Sequence, residues 1–322
     1  MTSRPQSWDE LRKLDDTAPT ATLPENLRPL VNEQRPPERE MRLIERADLS
    51  NASSGVGESF DVDAYRPPWL PGSFSPKRAK LPRPPSVIHH DQRLEPVITY
   101  PPDDRTIYND RSYPWGCVCK ITTAAGRVGS GVLIGPRHVL TASHCVDWST
   151  SAAERIDVHL TGTVAAATAF DTVAYAFAQI SGDPTVTTLD EDYACLVLDQ
   201  RLGDVWGWLG TKTYDSAWDG DNVWTSIGYP TDIASGLHPI FISNKSMDED
   251  EWDYGSGRAM TTAADMQKGQ SGSPMFAWWD GIPYAVAVMS AYGNVWASGD
   301  ENWCSGGSDL SRIVRQARNE NP

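Results

Sequence analysis

The chain has 322 residues, 39% of them hydrophobic and 22% charged, enough apolar material for the core of one large or two small soluble globular domains. No run approaches the roughly 18 apolar residues of a spanning helix, so no membrane partner is expected. Residues 101–322 hold 14 Lys/Arg against 28 Asp/Glu, an acidic balance that argues against a nucleic-acid partner.

In chain order, Ser7-Trp8-Asp9-Glu10 is a capping box that opens a short helix through about Leu14. Residues 15–60 are polar, with scattered prolines and no sustained period. Residues 66–86 carry Pro67, Pro68, Pro71, Pro76, Pro82, Pro84 and Pro85 among basic residues and read as extended chain. Residues 1–100 are thus expected to form an extended N-terminal segment, either a disordered tail or a segment removed by processing. The first ten residues are too polar for a secretory signal peptide.

From Tyr113 onward the pattern changes to short apolar runs between Gly, Asp and Pro. Strands are predicted at Gly116–Ile121, Gly129–Ile134, Val139–Ala142, Arg155–Leu160, Thr163–Ala169, Thr172–Ile180 and Tyr193–Leu198. The second half adds Val223–Gly228, Pro239–Ser243, Ser273–Trp278 and Tyr284–Ser290, and a capped helix closes the chain at Ser308–Ala317. Spaced strands with little helix predict an all-β pair of barrels over residues 101–322. Asp248-Glu249-Asp250-Glu251-Trp252-Asp253 reads as a solvated acidic loop, although such clustered oxygens could gather calcium.

The five cysteines, Cys117, Cys119, Cys145, Cys195 and Cys304, are an odd number, so at least one lacks an intramolecular partner. Cys195 lies within an apolar strand and reads as a small buried hydrophobe. No Cys/His spacing suits zinc. No metal or cofactor is expected.

Three stretches carry chemistry. In Gly269-Gln270-Ser271-Gly272-Ser273-Pro274, small residues leave the Ser271 hydroxyl unobstructed, and Gly269 lets backbone N–H groups converge on one point. Alone this motif is weak, because glycine and serine form ordinary turns. His144 stands at a strand-to-turn junction in Thr141-Ala142-Ser143-His144-Cys145, and Asp192 stands at the mouth of the apolar run Tyr193–Leu198. The other five histidines lack such contexts and read as structural or solvent-facing. Asp192 alone could be part of an acidic turn with Asp190 and Glu191. The order His, Asp, Ser separates this set from the subtilisin and α/β-hydrolase arrangements.

With these motifs in this order, the chain from about Asp104 to its end resembles the chymotrypsin-like serine proteases. Gly-Gln-Ser-Gly-Ser-Pro is most similar to the bacterial and fungal glutamyl-endopeptidase-like (V8-like) branch. The resemblance implies two six-stranded antiparallel β-barrels, with the C-terminal helix packed on the second. It implies that Ser271 attacks a peptide carbonyl, His144 carries the proton and Asp192 orients the imidazole, through an acyl-enzyme. Gly269 and Ser271 would supply the oxyanion N–H groups. Asp265, six residues before Ser271, would occupy the place of a substrate-binding carboxylate. Ser290-Ala291-Tyr292-Gly293 would form the edge that pairs with substrate backbone, with Ser290 where the glutamate-specific enzymes place a histidine.

The same resemblance implies a secreted monomer acting on proteins or peptides, and a disulfide that steadies the histidine loop through Cys145. Its usual partner position, near Gly129, is not a cysteine, which leaves Cys117 or Cys119 open as substitutes. Processing as a zymogen would fall between about Lys77 and Asp104, with Lys77-Arg78 and Val97–Tyr100 as candidate borders. Gln270 carries no charge, so an activating ion pair between a new terminus and this position is not expected. Two rival functions are a catalytically silent homologue that binds proteins, and an esterase with the same triad.

Overall fold

The computed structural model describes residues 4–31, 45–48, 60–79, 102–249, 257–293 and 301–322. The Ser7 capping box forms as predicted and starts α1 (Trp8–Leu11), with Glu10 bonded back to the Ser7 N–H at 2.7 Å. A strand β1 (Glu45–Asp48) follows, then a two-residue β2 (Thr106–Ile107).

The first barrel comprises β3 (Val118–Thr122), β4 (Val128–Gly135), β5 (His138–Thr141), β6 (Arg155–Val158), β7 (Ala167–Ala176) and β8 (Ala194–Leu198). Its order is β7-β6-β3-β4-β5-β8, and pairing of β7 with β8 closes the ring. Valine, isoleucine, alanine and leucine on these strands are almost wholly buried, which is why they read as continuous apolar runs rather than alternating ones. β1 adds in parallel to β7 outside the ring.

After α2 (Gly203–Trp206) come β9 (Gly210–Thr211), β10 (Trp224–Gly228), β11 (Ile240–Lys245), β12 (Met247–Glu249), β13 (Gly257–Thr262), β14 (Pro274–Trp279), β15 (Ile282–Gly293) and β16 (Glu301–Gly307). They run β12-β13-β16-β15-β14-β10-β11-β2, with β9 beside β15. This sheet curls, but among the described residues no pairing joins its two ends. The expectation of two closed six-stranded barrels is therefore corrected to one closed barrel and one half-barrel. β12, β13 and β16 are too mixed in polarity to stand out in sequence, since Arg258, Asn302 and Ser305 sit within them.

Tryptophan fills the space between and within the sheets. Trp115 is fully buried against Phe241, Phe276 and Trp278 of the second sheet, at ring distances of 5.8, 6.2 and 6.0 Å. The described parts of the first hundred residues pack on this body. Trp8 meets Trp278 at 6.0 Å, Gln6 N–H donates to Trp278 O at 2.7 Å, and Val62 and Tyr65 bridge to Thr211 and Trp208. The processing candidate Val97–Tyr100 lies outside the described residues.

The terminal helix α3 (Ser308–Glu320) runs three residues beyond its expected end. Gly307 is its N-cap and no side chain caps it, so the predicted serine cap is not made. Leu310, Ile313, Val314 and Ala317 form one buried stripe that packs on β8, β5 and β7 of the first barrel as well as on the second sheet.

Beneath α3, His138 Nε2 lies 3.2 Å from Ala317 O, and burial pushes its pKa down to about 4. Burial does the same to His159, also to about 4. Both are neutral when folded, whereas an unfolded histidine titrates near 6.5. The contribution of these two histidines to stability should be complete above about pH 6.5 and fall as pH drops from there toward 4, by on the order of 3 kcal/mol per histidine. Urea denaturation across this range should show that loss, and His138→Gln should remove close to half of the pH-dependent part.

Candidate active site

The antiparallel pairing of β5 with β8 sets Thr141 opposite Ala194. The residues just beyond the end of β5 therefore lie beside those just before β8. That is how two residues 48 apart in sequence, His144 and Asp192, come together. A single 3-10 turn, Ser143–Cys145, projects the imidazole, and Trp148 Nε1–H fixes the turn by donating to Ser143 O at 2.9 Å. Asp192 is completely buried. Its Oδ2 is 2.6 Å from His144 Nδ1, its Oδ1 accepts from the His144 backbone N–H at 2.9 Å, and Ser290 Oγ–H donates to Oδ2.

Burial would raise the Asp192 pKa, but the imidazole and these donors override it and hold the carboxyl below its ordinary range. Burial likewise works against charge on His144, and here too the adjacent carboxylate prevails, leaving its pKa well above the ordinary 6.5. Once the imidazole is neutral, the carboxylate also selects its tautomer, keeping the proton on Nδ1 and leaving Nε2 free to accept.

Ser271 lies in a tight loop that β14 leaves at Pro274. Gly269 and Gly272 have φ of 92° and 82°, in the left-handed region. A Cβ at Gly269 would strike Tyr229 O, and one at Gly272 would strike Ser130 O and Thr141 Oγ1. Ser273 N–H donates to Gln270 O at 2.8 Å and Gly272 N–H to Met289 O at 2.7 Å. Neither the Gly269 nor the Ser271 N–H has an acceptor among the described residues, as an oxyanion site requires.

Ser271 reaches the histidine turn through its carbonyl, which accepts from Cys145 Sγ at 3.4 Å and from Ser130 N–H at 2.8 Å. No Ser271 Oγ–imidazole hydrogen bond is made among the described residues. In ligand-free enzymes this contact often tightens only when substrate binds.

Other expectations are corrected. All five cysteines are free thiols. Cys145 Sγ occupies the space that a side chain at Gly129 would need, while Cys117 and Cys119 turn inward, toward Trp206 O and Cys117 O at 3.3 and 3.6 Å. No bridge can steady the histidine loop; Asp192 and Trp148 do so instead. Ser290 is buried on Asp192, and Asp265 is fully buried with Oδ2 accepting from Asp104 N–H at 3.3 Å. Neither side chain faces an open cleft.

Ala291, Tyr292 and Gly293 pair with β16, beyond the point at Val288 where β14 leaves β15. The acidic run begins in β12, where Glu249 pairs with Arg258 at 2.6 Å; residues 250–256 lie outside the described set. Sequence reasoning missed Ser130 and the role of Ser290. The only trace of Ser130 was a hydroxyl between two glycines in an apolar strand.

Residues 129–281 match the family described as the trypsin-like peptidase domain. Over 188 residues the chain is 29% identical to a glutamyl endopeptidase of Bacillus licheniformis, covering 54% of this chain and 53% of that protein. It thus spans about half the length of this curated relative. Among solved structures, a Glu endopeptidase in complex with MPD superposes with a TM-score of 0.53 at 21% identity, over 67% of this chain and 96% of the other. A thermostable serine protease, AL20, from an extremophilic microorganism gives 0.51 at 17% identity, over 64% and 99%. Both share the chymotrypsin-like fold with this chain.

Titration of the His144 ring by NMR should give a midpoint above 6.5. Asp192→Asn should lower it, because the largest influence opposing burial is then gone. An unchanged midpoint in that variant would mean that Asp192 does not set the imidazole charge.

Proposed function

From a chain that carries a trypsin-like peptidase domain and is a distant homologue of the glutamyl endopeptidases, we propose a serine endopeptidase acting through His144, Asp192 and Ser271. The observation that carries this reading is the fully buried Asp192 carboxylate spending both oxygens on His144. A buried carboxylate is costly unless it is put to use, and here it orients a mostly buried base whose side chain is 16% exposed.

His144 Nε2 takes the proton from Ser271 Oγ as the oxygen attacks the peptide carbonyl. The carbonyl oxygen becomes an anion and enters the space before the Gly269 and Ser271 N–H groups. Collapse expels the amine, which receives the proton from His144, and leaves the acyl group on Ser271. Water, deprotonated by the same imidazole, then releases the acid. Substrate backbone is read along Ala291–Gly293 by strand addition.

The wild type should react with a fluorophosphonate probe and hydrolyse a denatured protein, whereas Ser271→Ala should do neither. Gly269→Ala keeps its N–H but sets a Cβ against Tyr229 O, which should displace that donor and lower kcat by roughly 100-fold. A wild type that folds but neither labels nor cleaves would favour the silent homologue. Cleavage of simple esters without any peptide would favour the esterase. Cleavage of a diverse peptide library reports the residue accepted before the scissile bond.

A further inference from the structure

Next to the loop that bears Ser271 lies a buried cation that the reaction scheme does not use. Arg105 is 3% exposed. Its guanidinium has five N–H donors, and five hydrogen bonds engage its three nitrogens. Nε and Nη2 donate to the two oxygens of Asp103 at 3.1 and 3.0 Å. Nη1 and Nη2 donate to the two oxygens of Asp232 at 3.1 and 2.6 Å. Nη1 also donates to Gln270 Oε1 at 3.1 Å.

Gln270 is fully buried and is the residue between Gly269 and Ser271. Its Nε2 donates to Asp265 O at 3.3 Å, so the amide is held at both ends. Fixing this side chain restrains the peptide planes on either side of it: the following plane carries the Ser271 N–H, and the preceding one carries the carbonyl of Gly269, the residue whose N–H is the other donor. The segment bearing Arg105 is itself sewn in place. Asp104 N–H donates to Asp265 Oδ2 at 3.3 Å, and Asp104 pairs with Lys245 at 2.8 Å.

We propose that Arg105 is a positioning residue that holds the loop 269–272 in its anion-receiving form, so the site needs no newly cut amino terminus. This rests on the protease reading above and adds how its site is set. An internal guanidinium between two carboxylates supplies the anchor. Any cut before Asp103 leaves this anchor whole. A cut after Arg105 would release it, and the burial of Arg105 shields that bond. A lysine could not reproduce the anchor, because one ammonium cannot span two carboxylates and an amide.

The test uses the full chain and a fluorophosphonate probe, with intact mass read on the labelled species. The expected result is labelling of the uncut 322-residue chain at a rate within about twofold of a chain starting at Asp103. Labelling of the trimmed chain alone would overturn the inference while leaving the protease reading standing. Labelling of neither would end that reading and this inference with it.

Arg105→Ala should label roughly 100-fold more slowly, the scale of a lost oxyanion donor, with KM for a peptide within about threefold. Methylguanidinium at tens of millimolar should restore at least a tenth of the wild-type rate. A folded Arg105→Ala that labels at the wild-type rate, or whose loss lies wholly in KM, would overturn the proposal. Should that variant fail to melt cooperatively, Asp232→Asn provides the same reading, with an expected slowing of about tenfold and overturn by an unchanged rate.

Discussion

The two sheets bring separate halves of the chemistry, and one side chain joins them. Ser130, in β4 of the first barrel, is fully buried. Its Oγ–H donates to Gly269 O at 2.6 Å and its Oγ accepts from Tyr229 N–H at 2.8 Å. Its N–H donates to Ser271 O at 2.8 Å, and its O accepts from Thr141 Oγ1–H at 2.7 Å. Every polar group of Ser130 is spent on the seam between the strand leading to His144 and the loop bearing Ser271. Each such bond is worth about 1 kcal/mol net, but a lost partner strands buried groups at 1–3 kcal/mol apiece. Registration of Ser271 with His144 depends on this seam more than on the cores either side of it.

Small residues make the seam possible. Gly129 gives room to the Cys145 thiol, Gly228 lies against Ser130 and Ser273, and Gly272 fits between Ser130 O and Thr141. A larger residue at any of these would push the sheets apart and move Ser271 from the histidine turn. The thiol of Cys145 thus acts as a wedge and weak donor where the resemblance led one to expect a covalent bridge. Asp192 answers the same need from below, fixing the histidine turn by its backbone as well as its ring.

Much of the site could be read in the sequence because its chemistry is local. A glycine-flanked serine, a histidine after an apolar strand and an aspartate before another are each short patterns, and their order adds the rest. The first barrel was nearly as legible, since its strands are buried on both faces, although the strands expected at Thr163–Ala169 and Thr172–Ile180 are one, β7 (Ala167–Ala176). The second sheet was not: β13 and β16 alternate polar and small residues whose partners are distant in sequence. Asp265 and Ser290 were placed by analogy of position alone, and what their side chains meet depends on Asp104 and Asp192, far away in the chain. Ser130 and Arg105 are single polar residues in unremarkable stretches. Only folding reveals what they touch.

The central claim is spatial: a hydroxyl, an imidazole and two backbone N–H groups meet at one point across the seam. A crystal structure of the adduct with diisopropyl fluorophosphate tests it most directly. The account predicts phosphorus bonded to Ser271 Oγ, the phosphoryl oxygen within hydrogen-bond distance of the Gly269 and Ser271 N–H groups, and His144 Nε2 turned toward the adduct. A phosphoryl oxygen pointing into solvent, or an adduct on any other residue, would contradict it.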